Sequence, residues 1–145
     1  MSFQFSMEKV LSIKQKEKES IELELGEAVQ AFESIAEEIY SLLKRKENIE
    51  NQSNLQFQQK IVINDLQNTQ RFILSMTNKI KELQPILQRA RERMQVIQQK
   101  LLQQTIEVKK YEKLKEKQYK SYEVSQNWQE LKQNDEFSML RFAKS

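Results

Sequence analysis

"ILSMTNKIKELQPILQRARERMQVIQQKLLQQTIEVKKY", residues 73–111, decides the fold. In it Ile73, Met76, Ile80, Leu83, Leu87, Ala90, Met94, Ile97, Leu101, Gln104, Val108 and Tyr111 recur at alternating steps of three and four, and only Gln104 is polar. Apolar residues at that spacing over more than five heptads specify a helix with one narrow apolar stripe. A stripe of that width buries little by itself, so it needs a second helix laid along it.

The earlier part of the chain supplies that partner. Ile21, Leu25, Ala28, Phe32, Ile35, Ile39, Leu42 and Ile49 repeat the spacing, with Lys46 as the polar exception. Upstream, Met7 and Val10 continue it while Lys14 and Glu17 thin it, and the successive steps of four from Glu17 to Ile21 to Leu25 read as a stutter. Counting forward from Ile49 and backward from Ile73 gives two registers that do not meet. The phase therefore changes between about residues 50 and 63, where "NQSN" (51–54) and "IVI" (61–63) stand. The expected architecture is all-α, an antiparallel two-helix coiled-coil hairpin forming a single unit over 1–145. Its first helix runs over about 6–52 and its bend over about 53–62, centred near 58. The second helix begins after an Asn64 N-cap, runs over about 63–125, overhangs the first, and leaves room for a short tail helix.

Composition supports long elements. One glycine and one proline in 145 residues leave little material for turns, and 31 % charged against 38 % apolar residues suits amphipathic helices better than a thick core. Gly26 and Pro85 both fall inside the expected helices. The heptad phase is kept across Pro85, which predicts a kink and not a break. Gly26, opposite about residue 90, is read as a point of close helix approach, with a tolerated surface glycine as the competing reading. Charge is divided: residues 1–58 hold 7 Lys/Arg and 11 Asp/Glu, and residues 59–145 hold 17 and 10. An acidic arm and a basic arm attract when the chain doubles back.

The same inventory narrows function. With no histidine and no cysteine, the commonest general base, the thiolate nucleophile and most metal ligands are missing. One glycine cannot build a phosphate-cradling loop. The carboxylate pairs Glu17/Glu24, Glu33/Glu37 and Glu112/Glu116 read as solvated helix charge. No enzyme, cofactor, metal or small-molecule substrate is expected. No apolar run approaches the ~18–20 residues of a membrane span, and charges interrupt the apolar stretch at the N-terminus, so the chain is read as cytosolic. Nucleic-acid binding is disfavoured, because glutamates dilute the lysine-rich segment and no basic region precedes a zipper.

One segment asks for a partner. In "YEKLKEKQYKSYEVSQNW" (111–128), Tyr111, Leu114 and Tyr122 share a helix face flanked by Tyr119, and lysines fill the rest of the circumference. If the bend is near 58, the first helix runs out of facing residues at about position 110. The tyrosines then either form a partner site ringed by charge or are covered by Phe3, Phe5 and Met7 folding back. Trp128 and Leu131 point to another side, and Phe137, Met139, Leu140 and Phe142 follow with nothing evident to cover them.

The ordered set "FSMEKVLSIKQKEKE" (5–19), "AFESIAEEIYSLLKRKE" (31–47), "TQRFI" (69–73), "KKYEKLKEKQYKSYE" (109–123) and "KQNDEF" (132–137) resembles the FliJ family of the bacterial flagellar type III export apparatus over nearly the whole length. That resemblance implies a coiled-coil rod similar to the central stalk of rotary ATPases. It implies binding to the hexameric export ATPase, to the membrane export gate and to export chaperones, at the inner face of the cell membrane. The ATPase-facing candidates it suggests are Lys113, Lys115, Lys117, Tyr119 and Tyr122. The gate-facing candidates are Glu38, Leu42, Ile49, Phe72, Met76 and Leu83, with Arg45 and Lys79 departing from the family's pattern, where an aromatic and a small residue would be expected. A generic coiled-coil oligomerisation module is the alternative. A monomeric hairpin in sedimentation favours the export component, and a parallel dimer of one long helix favours the module.

Overall fold

The computed structural model describes residues 2–57 and 63–144. It holds two helices, α1 (Glu8–Phe57) and α2 (Ile63–Lys144), of 50 and 82 residues, with no strand among the described residues. The helices pack against one another as an antiparallel hairpin, and α2 is the longer. The expected bend centre near 58 lies outside the described residues. Helix α1 continues through residues 53–57, and Asn64 sits inside α2, one residue past its start, so it is not the N-cap. Packing divides into two units, Met1–Ser20 with Leu101–Ser145, and Ile21–Lys100.

In the unit Ile21–Lys100 the two stripes meet as apolar seams. Ile21, Ala28 and Ile39 of α1 and Met76, Ile80 and Ile97 of α2 are buried, and the remaining seam positions are half-buried. Ion pairs flank the seam at Glu38–Lys79 (3.7 Å) and Glu24–Lys100 (3.7 Å). Partner numbers fall on α2 as they rise on α1, which is antiparallel pairing. In both pairs the acid is on α1 and the base on α2, as the charge division of the sequence requires. Each is exposed and contributes about 0.2–1 kcal/mol, so the pairs orient the helices more than they hold them. The Arg91 guanidinium lies 5.7 Å from the centre of the Phe32 ring.

Gly26 is exposed, and a methyl group added there would meet nothing within 4 Å. The close-approach reading is therefore wrong, and the surface reading holds. Helix α2 continues through Pro85, which is exposed on the side away from the partner helix. The missing amide bond falls where water can satisfy the Lys81 carbonyl.

In the unit Met1–Ser20 with Leu101–Ser145 the seam is of different chemistry. On α1 the heptad positions turned inward are Leu11, Lys14 and Lys18, with Val10 and Ser12 half-buried beside them. Leu11 is 3 % exposed and Met7 42 % exposed, so the stripe runs through Leu11 with Val10 half-buried beside it, and Met7 lies outside it. From Leu11 through Lys14, Lys18, Ile21 and Leu25 the steps alternate three and four, and the stutter disappears. Lysine suits such a position because its methylene stem lies on the apolar surface while the ammonium reaches water. On α2 the inward face continues through Leu101, Gln104, Val108, Tyr111, Lys115, Gln118 and Tyr122, so the heptad persists after its apolar character is lost.

Gln104, the polar member of the sequence stripe, is the cross-helix tie. Its Nε2 donates to the Lys14 carbonyl at 3.0 Å and to Glu17 Oε2 at 3.1 Å. A polar group matched to particular partners fixes the register, since a slip by one heptad would remove its bond to Glu17. Ahead of α1, Glu8 N–H donates to the Phe5 carbonyl (3.2 Å) and Leu11 N–H to the Met7 carbonyl (2.9 Å). This turn carries Phe5 back onto Leu11 and Val108, and Phe3, Tyr111 and Leu114 pack against that cluster. The pairing therefore extends to Tyr122, well beyond the expected limit near 110.

Candidate functional site

The lysine- and tyrosine-rich stretch of α2 has an inner and an outer side. On the inner side, Phe3 stands edge-on to Tyr119, with centroids 5.3 Å apart and planes at 80°, and tilted against Tyr122 at 5.5 Å. Of the two readings of the tyrosine stripe, the structure adopts the one in which the N-terminal segment folds back. Phe3 and Phe5 do the covering, while Met7 points outward. Lys115 Nζ reaches Glu8 Oε2 at 3.0 Å. Three of the five ATPase-facing candidates, Lys115, Tyr119 and Tyr122, thus already have partners in the same unit. Sequence reading missed Glu8 as the partner of Lys115. The available signal was an acid in the first turn of a helix, where it also favours the positive end of the helix dipole.

The outer side is basic. At 100° per residue Lys109, Lys113 and Lys120 lie opposite the seam with Lys117 beside them, and all four are exposed. Lys120 pairs with Glu116 at 3.4 Å. Lys113 and Lys117, the remaining ATPase-facing candidates, are one turn apart on this face and project into solvent.

In the unit Ile21–Lys100, the gate-facing candidates separate by burial. Met76 is 5 % exposed and belongs to the seam, where its side chain is spent on helix pairing. Leu42, Ile49 and Leu83 are half-buried seam members. Phe72 is 43 % exposed and Glu38 is on the surface, so these two can be reached from outside. Phe72 and Ile49 line a shallow groove with Gln52, Ser53, Asn68 and Thr69.

Arg45 and Lys79 touch these same two candidates. The Arg45 guanidinium lies 5.6 Å from the Phe72 ring centre, and Lys79 pairs with Glu38. An aromatic at 45 would have enlarged the apolar patch around Phe72. Arginine keeps the stacking surface and adds a charge.

Among the described residues no group of three metal-ligating side chains converges, and every buried polar side-chain atom has a hydrogen-bond partner. No helix is long and apolar enough to cross a membrane. The arrangement offers contact surfaces and no convergent acid–base or nucleophilic constellation.

Comparison with known proteins identifies the family. The family model described as Flagellar FliJ protein matches residues 3–145. The Flagellar FliJ protein of Bacillus subtilis (strain 168) is 30 % identical over 142 residues, covering 98 % of this chain and 97 % of that protein. No solved structure matches the chain. A helical hairpin matched over nearly its full length, this chain belongs to the FliJ family and is a component of flagellar export.

Proposed function

We propose that this chain is a non-enzymatic, stalk-like rod of the flagellar export apparatus that binds the hexameric export ATPase, the membrane export gate and export chaperones. It would act in the cytoplasm, peripherally at the inner face of the cell membrane at the flagellar base. The observation that carries the ATPase contact is the exposed basic face of α2 at Lys113 and Lys117. Lysines on the side of a rigid helix away from its own partner suit a ring lined by carboxylates. Lys115, Tyr119 and Tyr122 act differently in this reading. They hold the N-terminal segment against α2 and so stiffen the end presented to the ring.

The gate contact is assigned to the surface around Phe72 and Glu38, with Ile49 at the floor of the adjoining groove. Leu42, Met76 and Leu83 shape that surface from below. Partly exposed aromatic area beside a charged rim is the chemistry of a transient protein contact. Chaperones are the third partner class, with no surface assigned to them.

The test is to replace Lys113 and Lys117 by Glu and measure binding to the purified export ATPase against ionic strength. Binding should weaken by about tenfold or more and lose most of its salt dependence. Helicity by circular dichroism should be unchanged. Unaltered binding in a fully helical variant would remove the basic face from the contact. Lys115 is left intact because reversing it would also break its pair with Glu8. In parallel, Phe72→Ala should weaken capture of the gate protein and leave ATPase binding as it was.

A further inference from the structure

Beyond Tyr122 the helix goes on, with Gln126 its last half-buried position. Residues 127–143 are exposed on every side, and Trp128 and Leu131 are 69 % and 59 % exposed. The apolar residues there are not scattered. At 100° per residue Val124, Trp128, Leu131, Met139 and Phe142 lie within about 40° of one line, with Asp135 the single polar member. This stripe is turned by more than about 100° from the inward face marked by Gln118 and Tyr122. It is a second face of α2 and not a continuation of the hairpin seam.

We propose that this stripe is a self-association surface, on which a second copy of the chain docks its own stripe antiparallel about a two-fold axis near residue 133. The argument is self-complementarity. A two-fold perpendicular to two antiparallel helices brings like flanks together, each residue meeting one that lies equally far on the other side of the centre. Trp128 then meets Met139 of the second copy, a sulfur–aromatic contact, and Val124 meets Phe142. One flank carries Lys132 and Glu136. They are placed so that each lysine falls beside the other copy's Glu136 and Asp135, twice per dimer. The other flank carries Asn127, Asn134 and Ser138, all uncharged, so no like charges are forced together there. A parallel pairing would set the Lys132/Glu136 flank against the partner's uncharged flank and forgo these ion pairs.

The stripe spans residues 124–142, about 27 Å of helix at ~1.5 Å per residue. Two such faces bury less than the ~1,200 Å² at the low end of stable interfaces, so the dimer is weak, with Kd on the order of tens of micromolar. The stripe does not overlap Lys113 or Lys117, and this proposal does not rest on the ATPase reading.

Sedimentation equilibrium of the full chain from about 1 to 500 µM tests it, alongside circular dichroism. A monomer–dimer equilibrium is expected. Trp128→Ala should weaken it on the order of a hundredfold. K132E and E136K should each weaken it about tenfold, and the double variant K132E/E136K should return it to near the original value. The chain has no cysteine, so single cysteines report pairing cleanly. Mixing L131C with D135C under mild oxidation should give the mixed disulfide in excess of either homodisulfide. A chain that stays monomeric throughout overturns the proposal. So does a dimer indifferent to K132E, one that the double exchange fails to restore, or one in which the homodisulfides dominate.

Discussion

The two packing units solve the same problem with different residues. In Ile21–Lys100 the seam is apolar, and buried Ile21, Ala28, Ile39, Met76, Ile80 and Ile97 hold the helices. In Met1–Ser20 with Leu101–Ser145, lysine and glutamine occupy many of the equivalent positions, and the burial is supplied by Phe5, Leu11 and Val108 with Phe3 and Tyr111 around them. The first unit is held by repetition and the second by an aromatic cluster, the Gln104 amide tie and the Lys115–Glu8 pair. Heptad geometry therefore does not require heptad hydrophobicity. Once two helices are in phase, a lysine stem or a glutamine amide can occupy a seam position, provided the polar end finds water or a partner.

The sharpest way to break this contrast is at Leu11. If the aromatic cluster anchors its unit, Leu11→Ala should destabilise the fold by about 2–4 kcal/mol, read as a lowered midpoint in thermal denaturation, because a buried leucine is truncated. Met7→Ala should change stability by less than about 0.5 kcal/mol. Equal effects at the two sites would restore the stripe through Met7 and Val10.

Phe3→Ala probes the cap itself. Its two ring contacts are worth about 0.5–1.5 kcal/mol each beyond burial. The expected result is a loss of about 1–2 kcal/mol together with faster hydrogen exchange over residues 2–7. Exchange protection that stays at the wild-type level would mean that the segment is held by Phe5 alone.

The smallest expected effect is a gain. Gly26→Ala should stabilise the hairpin by about 0.5–1 kcal/mol, because alanine fits the open space and removes backbone entropy from the unfolded chain. A loss of stability would revive the close approach that the open space at Gly26 excludes.

Much of this was legible in the residues, and the exceptions share a cause. The candidates that contact themselves, Lys115, Tyr119 and Tyr122, looked available because Phe3 and Glu8 stand more than a hundred residues away in the sequence. The sequence left a helix end near residue 125 open, and α2 runs on to Lys144. Residues 125–127, "SQN", hold neither glycine nor proline, and helix propensity on either side carries through them.

By itself the sequence determined the helices, their antiparallel pairing and the acid-to-base polarity between them, because 3.6-residue periodicity and charge division are local properties of the chain. Only the tertiary structure decided which of Met7, Val10 and Leu11 turns inward, whether the tyrosines are covered, and what surrounds Gly26. Hydropathy does not choose between neighbouring apolar residues, or between Glu17 and Lys18. That choice is made by the surface of the opposing helix, which local pattern does not contain.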